Sequence, residues 1–232
     1  MVGEKAGVTR KLPTVQELQC FRRSLLRWYS GHGRAFPWRR ASASSYEKII
    51  AEVLLQRTRA ETVAEFLPKF TKKFPSWRKL GTASLSQLES CLKPIGLWRR
   101  RAISIHALAR DMVVRRGRFP RDRETIEKLP GVGQYIANAI LLYCHDLPEP
   151  LIDVNMARVL ERVFGPRKLA DIRYDKYLQQ LARDVVRCRR AKEVNWAVLD
   201  LAALVCLGRN PRCDICPLAG LCLYKAKQDD FL

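Results

Sequence analysis

Three observations predict an all-α fold. Apolar residues recur at helical spacing along almost the whole chain. Glycine or proline marks most breaks between the periodic segments. No alternating stretch long enough for a strand occurs, and there is no internal repeat or low-complexity tract. The first helix is expected over 14–30, opened by Pro13-Thr14, with Val15, Leu18, Phe21, Leu25 and Trp28 at helical spacing. Gly31-His32-Gly33 breaks it and leads into Phe36-Pro37-Trp38-Arg39. A second helix spans 45–58, with Ile49, Ile50, Val53 and Leu54 on its inner face. Further helices are expected over 60–73, 75–80, 84–92, 99–116 and 122–128. After Gly133 a helix over 134–145 runs to Asp146-Leu147-Pro148, and segments 154–164, 174–188 and 193–206 complete the series.

Composition narrows the partners. Hydrophobic residues make up 47% of 232, enough for one large domain or two modest ones with a real core. The longest apolar runs, such as 136–144, are too short to span a bilayer. The opening MVGEKAGVTRKLPTVQEL lacks a signal-peptide core, so secretion is not expected. A cytosolic chain keeps its thiols reduced, so eight cysteines argue for metal ligation over disulfides. The net charge is +20, from 43 basic and 23 acidic residues. Such a field attracts polyanions. The basic clusters Arg99-Arg100-Arg101, Arg115-Arg116 and 187–190 favour nucleic acid over an anionic membrane, for which no basic amphipathic helix stands out.

Three motifs carry chemistry. Cys206, Cys213, Cys216 and Cys222 follow the spacing C-x6-C-x2-C-x5-C in one loop-like segment. Four thiolates so placed suit a metal or a cluster; zinc and iron–sulfur both remain open on the residues alone. Cys20, Cys91, Cys144 and Cys188 read as ordinary buried or semi-buried thiols. Leu129-Pro130-Gly131-Val132-Gly133 lies between two helical segments. Its glycines Gly131 and Gly133 permit a tight hairpin with positive φ, after which the amides opening the next helix suit a phosphate. An ordinary inter-helix turn is the plainer alternative. Asp153, after Leu151-Ile152 and at a helix start, reads on its own as an N-cap.

Taken together these residues resemble one superfamily. LPGVGQY, then LIDVNMARVLERVFG, then the cysteine quartet is similar to the helix–hairpin–helix DNA glycosylases of the endonuclease III and MutY type. FPWR at 36–39 and AEVLLQRT at 51–58 extend the resemblance to roughly 17–224. It implies a helix–hairpin–helix glycosylase fold of two helical domains with a DNA-binding cleft between them. Residues 45–148 would form a bundle with the hairpin, and 14–44 plus 149–232 an iron–sulfur cluster domain. It implies a [4Fe–4S] cluster on the four cysteines, with Arg209 and Arg212 in the cluster loop presenting charge to phosphates.

The resemblance also implies roles at the reacting bond. Asp153 matches the carboxylate that stabilises positive charge on the sugar and helps position or deprotonate a nucleophile. The target base must leave the helical stack first. Tyr135 stands where endonuclease III has a lysine. A phenol forms no imine, so a monofunctional glycosylase without lyase activity is expected. Tyr135 is expected to hydrogen-bond Asp153 or contact the sugar. Glu52 matches a pocket glutamate, and proton donation near neutrality would require burial to raise its pKa. Gln56 matches the residue that fills the hole left by the flipped base, and Trp98 lies near a second wedge position. Lys128 and His145 are further candidate phosphate ligands.

Local segments lean toward the thymine/uracil–guanine mismatch glycosylases. LLQRT resembles their LLRRT, IGLWRRRA resembles their IGL-x-x-x-RA, and DVN lacks the glycine of MutY's DGN. Gln56 and NPRCDICPLAGLC are MutY-like. The chain ends ten residues after Cys222, which leaves no room for the further C-terminal domain of MutY proteins. Adenine removal opposite guanine or 8-oxoguanine, another damaged base, and a non-catalytic iron–sulfur DNA-binding protein are the alternatives. Expected besides are double-stranded DNA with a mismatched or damaged base as partner, a monomer, no membrane, and a cytoplasmic, nucleoid-associated place.

Overall fold

The computed structural model describes residues 11–229. The stretch 1–10, read above for a signal-peptide core, and residues 230–232 lie outside the described residues. Among the described residues the chain is helical and no strand forms. The helices are α1 Val15–His32, α2 Ser45–Leu55, α3 Ala60–Lys73, α4 Trp77–Gly81, α5 Leu85–Leu92 and α6 Trp98–Val114. They continue with α7 Arg123–Glu127, α8 Gln134–His145, α9 Val154–Phe164, α10 Lys176–Val186, α11 Ala191–Leu204 and α12 Leu223–Asp229. No helix of the described residues is long and apolar enough to cross a membrane.

The chain divides into two units, one running to Gly33 and resuming at Ile152, the other Arg34–Leu151. In the first, α1 and α9 pack on α11, and α10 on both α9 and α11. Phe21 and Leu25 of α1, Met156 and Leu160 of α9, Leu181 of α10 and Val198 of α11 meet in a fully buried core. In the second unit α6 packs on α4 and α5, and α2 on α3 and α8. Residues 34–44, expected with the terminal domain, lie in this second unit. There Phe36 stacks on Trp38 at 4.7 Å, and Arg34 pairs with Glu61 at 3.0 Å.

Capping decides several helix ends. Thr14 with Glu17, Ser44 with Glu47 and Ser84 with Gln87 form capping boxes that start α1, α2 and α5. The second helix stops at Leu55, short of the expected 58, because Gln56 leaves the helical region and Arg57 takes a left-handed φ of 58°. The tenth starts at Lys176 instead of 174. Asp175, only 2% exposed, caps it: its Oδ1 accepts from Leu178 N at 2.8 Å, and its Oδ2 accepts from Lys168 N and Leu169 N. Helix α12 was not expected. It has no apolar stripe, and its Tyr224 lies under the Arg162 guanidinium at 4.7 Å.

Side chains depart from expectation at a few points. Val15 is 69% exposed and Cys20 is exposed, since Leu18, Phe21 and Leu25 define the inner face of α1. Arg101, read as part of a solvent-facing cluster, is 6% exposed, while Arg99 and Arg100 are exposed.

Replacing Asp175 with Ala leaves three backbone N–H groups without this acceptor. It should lower stability by about 2–4 kcal/mol. The measurement is the urea midpoint at unchanged slope.

Candidate active site and cluster loop

Helix α2 is buried on nearly every side from Tyr46 to Leu54, and Glu52 lies in that stretch, 3% exposed. A carboxyl there needs partners. Two phenols of α8 supply them. Tyr135 Oη donates to Glu52 Oε2 at 3.0 Å, and Tyr143 Oη donates to Oε1 at 3.0 Å. Tyr135 and Tyr143 are eight residues apart, a spacing that returns to one helix face. Tyr135 was expected to hydrogen-bond Asp153 or contact the sugar; here its hydroxyl donates to Glu52. Tyr143 was not singled out. It is hidden in the apolar run 136–144, and only its spacing from Tyr135 signals it.

The hairpin enters α8. Gly131 has φ +73°, and a Cβ there would meet Ser104 Cβ at 3.0 Å. Glycine is needed on both counts. Gly133 was also expected at positive φ, yet its φ is −98° with extended ψ, and a Cβ would meet nothing within 4 Å. Gly133 is the N-cap of α8, where no side chain caps the helix. Leu129 and Val132 are buried and fix the turn. Lys128 pairs with Glu124 at 2.7 Å, and the His145 ring meets Pro120 O at 2.6 Å. The structure thus gives both proposed phosphate ligands intramolecular partners.

Two loops of this unit carry the expected wedge residues. Gln56 is exposed at the end of α2, its side-chain amide without a hydrogen-bond partner among the described residues. Trp98 opens α6 and is half-buried, with Arg99 Cζ 4.4 Å over its ring. Its neighbour Leu97 holds a left-handed φ of 51° and is 52% exposed. The apolar tip of that loop is therefore Leu97, not Trp98.

In the other unit, Asp153 is the N-cap of α9. Its Oδ1 accepts from Asn155 N at 2.9 Å and Met156 N at 2.8 Å, and its Oδ2 from Asn155 Nδ2 at 2.7 Å. A carboxylate has about four acceptor sites, so capping leaves acceptor capacity on Oδ2. Asn155 Oδ1 in turn accepts from Arg158 Nη1 at 3.2 Å. Arg158 also donates from Nε to Cys206 O at 2.9 Å and from Nη2 to Ala202 O at 3.0 Å. One helical turn on, Arg162 donates to Cys206 Sγ at 3.3 Å, Leu207 O at 2.6 Å and Gly208 O at 3.1 Å. Neither arginine was singled out, although their i, i+4 spacing places them on one face.

The four cysteines are partly buried. Burial pushes the Cys216 thiol up to about 11, and the other three thiols add to the rise. Burial also raises Cys213, with Cys222 and Cys206 contributing. The four sulfurs are thus within electrostatic reach of one another. No three Cys, His, Asp or Glu side chains of the described residues gather as ligands of a single ion. A loop offering four thiols, with a guanidinium beside one of them, fits the donor set of an iron–sulfur cluster. Arg209 and Arg212 of this loop are exposed, with no side-chain partner among the described residues.

Comparison with known proteins agrees with this arrangement. Residues 50–184 match the HhH-GPD superfamily base excision DNA repair proteins, and 206–222 match the iron–sulfur binding domain of endonuclease III. A thymine/uracil-DNA glycosylase of Pyrobaculum aerophilum is 36% identical, over 90% of this chain and 93% of its own. An adenine DNA glycosylase of Rattus norvegicus is 32% identical over 90% of this chain but only 42% of its own. The structure of a thermostable thymine-DNA glycosylase superposes with a TM-score of 0.84 at 31% identity, covering 91% of this chain and 98% of that one. The chain belongs to the HhH-GPD superfamily of base excision DNA repair proteins. It is a DNA glycosylase of that superfamily, and its C-terminal cysteine loop is an iron–sulfur binding site.

Gly131→Ala should lower the melting temperature by several degrees, the left-handed residue alone costing about 1–2 kcal/mol. Gly133→Ala should shift it far less. Calorimetry of the two variants separates them, and equal shifts would contradict the hairpin geometry.

Proposed function

We propose that this chain is a monofunctional DNA glycosylase that hydrolyses the N-glycosidic bond of thymine or uracil mispaired with guanine in double-stranded DNA. The observation that carries the reading is the buried Glu52 carboxylate accepting from Tyr135 and Tyr143. A carboxylate held by two donors is an acceptor group. An acceptor suits the imide N–H that thymine and uracil share. Adenine departs more readily when protonated, which calls for a donor.

Asp153 would act at the sugar. Cleavage leaves positive charge on the sugar, and an ionised carboxylate stabilises it and orients the attacking water. Tyr135 stands where an amine would be needed for a covalent imine, so water is the nucleophile and an abasic site is the product. Gln56 would hydrogen-bond the orphaned guanine. Leu97, more than Trp98, has the apolar exposed shape of a wedge that enters a base step.

The amides opening α8, beginning at Gly133, and the exposed Arg209 and Arg212 would grip phosphates, which carry no sequence information. The cysteines would hold a [4Fe–4S] cluster that shapes this surface and takes no part in hydrolysis. A monomer working at the nucleoid is part of this reading. The 36% identity with the Pyrobaculum thymine/uracil-DNA glycosylase supports thymine or uracil as the base removed.

The test is a single-turnover assay on duplexes carrying G:T, G:U and A:8-oxoguanine, followed by alkali. Release is expected from G:T and G:U, with strand breaks only after alkali. Release from A:8-oxoguanine alone would move the reading to adenine. Nicking without alkali, with borohydride trapping, would remove the monofunctional claim. Tight binding without release from any duplex would leave a non-catalytic DNA-binding protein. Asp153→Asn should lower turnover about a hundredfold or more while duplex binding persists. Iron analysis of the purified protein should give about four irons per chain with matching acid-labile sulfide; zinc in their place would overturn the cluster assignment.

A further inference from the structure

Arg101 lies in a run of three arginines, in a chain whose positive charge suits DNA. Its neighbours Arg99 and Arg100 are exposed, but its own guanidinium is turned inward and the residue is 6% exposed. It makes four hydrogen bonds there. Nη1 donates to Ile95 O at 3.1 Å and Gly96 O at 2.8 Å. Nη2 donates to Gln56 O at 2.7 Å and Thr58 Oγ1 at 3.0 Å. One edge of the fork thus holds the turn after α2, and the other holds the turn before α6. All four acceptors are neutral oxygens.

Each turn has one backbone bond of its own, Thr58 N to Leu55 O at 3.1 Å and Gly96 N to Lys93 O at 3.2 Å, and neither bond links one turn to the other. Arg57 and Leu97 both adopt left-handed backbone at φ 58° and 51°, and Gly96 at φ +73° has open space around it. Left-handed conformations of non-glycine residues are costly and persist only where the surroundings hold them. The guanidinium is the group that spans both turns, because its donors lie in one rigid plane.

From this geometry we infer that Arg101 is a positioning residue: it sets the separation of Gln56 and Leu97, so that both enter the duplex together when the target base is extruded. The inference rests on the reading of Gln56 and Leu97 as the residues that enter the duplex. Arg101 touches neither the base nor the sugar in this account. Its loss should therefore weaken extrusion of a stacked, paired base and spare hydrolysis of a base that is already unstacked. Misplacement of a positioned group by about one ångström can cost on the order of a hundredfold.

The experiment compares single-turnover rates on a G:T duplex with rates on the same strand whose thymine sits in a short unpaired bubble. Arg101→Gln and Arg101→Lys should lower the G:T rate by about tenfold to a hundredfold, and the bubble rate by less than about threefold. Lysine should not rescue, since one ammonium cannot bridge both turns. A 2-aminopurine placed beside the target should lose its rise in fluorescence on binding. Equal losses on both substrates, or no loss on either, would overturn the inference. Should Arg101→Gln fail to fold, Thr58→Val removes one of the four bonds and should show a smaller loss confined to the paired substrate. Wild-type protein that releases no base from either substrate would instead refute the proposed function.

Discussion

A guanidinium carries five N–H donors in one plane, and Arg101, Arg158 and Arg162 direct theirs at main-chain oxygens beside the candidate functional residues. Arg101 bonds the turns at Gln56 and Gly96, Arg158 bonds Cys206 O and Ala202 O, and Arg162 bonds Leu207 O and Gly208 O. The dependence on such bonds follows from where the functional residues lie. Gln56, Leu97, Asp153 and the four cysteines sit on or beside turns, where no helical ladder fixes the backbone. A turn becomes a defined platform only when its carbonyls are bonded from outside. Arginine can do this and remain on a rigid helix, since its long stem reaches past the helix end.

The two carboxylates are held in contrasting ways, and the contrast matches the chemistry assigned to each. Glu52 is buried in α2, with both oxygens accepting from phenols whose own positions are fixed by α8. Asp153 is half-buried at a helix start, where the backbone amides of Asn155 and Met156 bind Oδ1. Capping and catalysis are therefore compatible uses of one aspartate: the cap orients Oδ1 and leaves acceptor capacity on Oδ2.

What the sequence displayed and what it hid can be stated residue by residue. The helices were legible because their caps and apolar stripes are local: 60–73 matches α3 at both ends, and 134–145 matches α8. The hairpin glycines were legible as a pair but not in their separate roles. The positive φ of Gly131 and the close approach of Ser104 depend on α6, which is remote in sequence. Tyr143 was masked because a tyrosine in an apolar run looks like core. Arg101 was misread because three consecutive arginines look alike. The signal that separates them is periodic: Arg101, Ile105, Leu108 and Met112 share the buried face of α6. Reading the phase of the helix, not the charge of the run, would have placed the third arginine inward. The exposed tip at Leu97 was out of reach, since its left-handed backbone depends on the bonds Arg101 makes next to it.

The cluster loop is tied by hydrogen bonds to the helix that Asp153 caps. The loop from Cys206 to Cys222 contains only two short 3-10 turns and offers few buried apolar groups, so its own packing is a weak constraint. A group that binds four thiols supplies what packing does not, as in small metal-stapled folds. Its first cysteine is also the residue whose carbonyl meets Arg158. From there Asn155 and then Asp153 follow through bonds of 3.2 and 2.7 Å. Arg162 meets the same cysteine at Sγ, so two guanidiniums of α9 tie the loop to the helix that Asp153 caps.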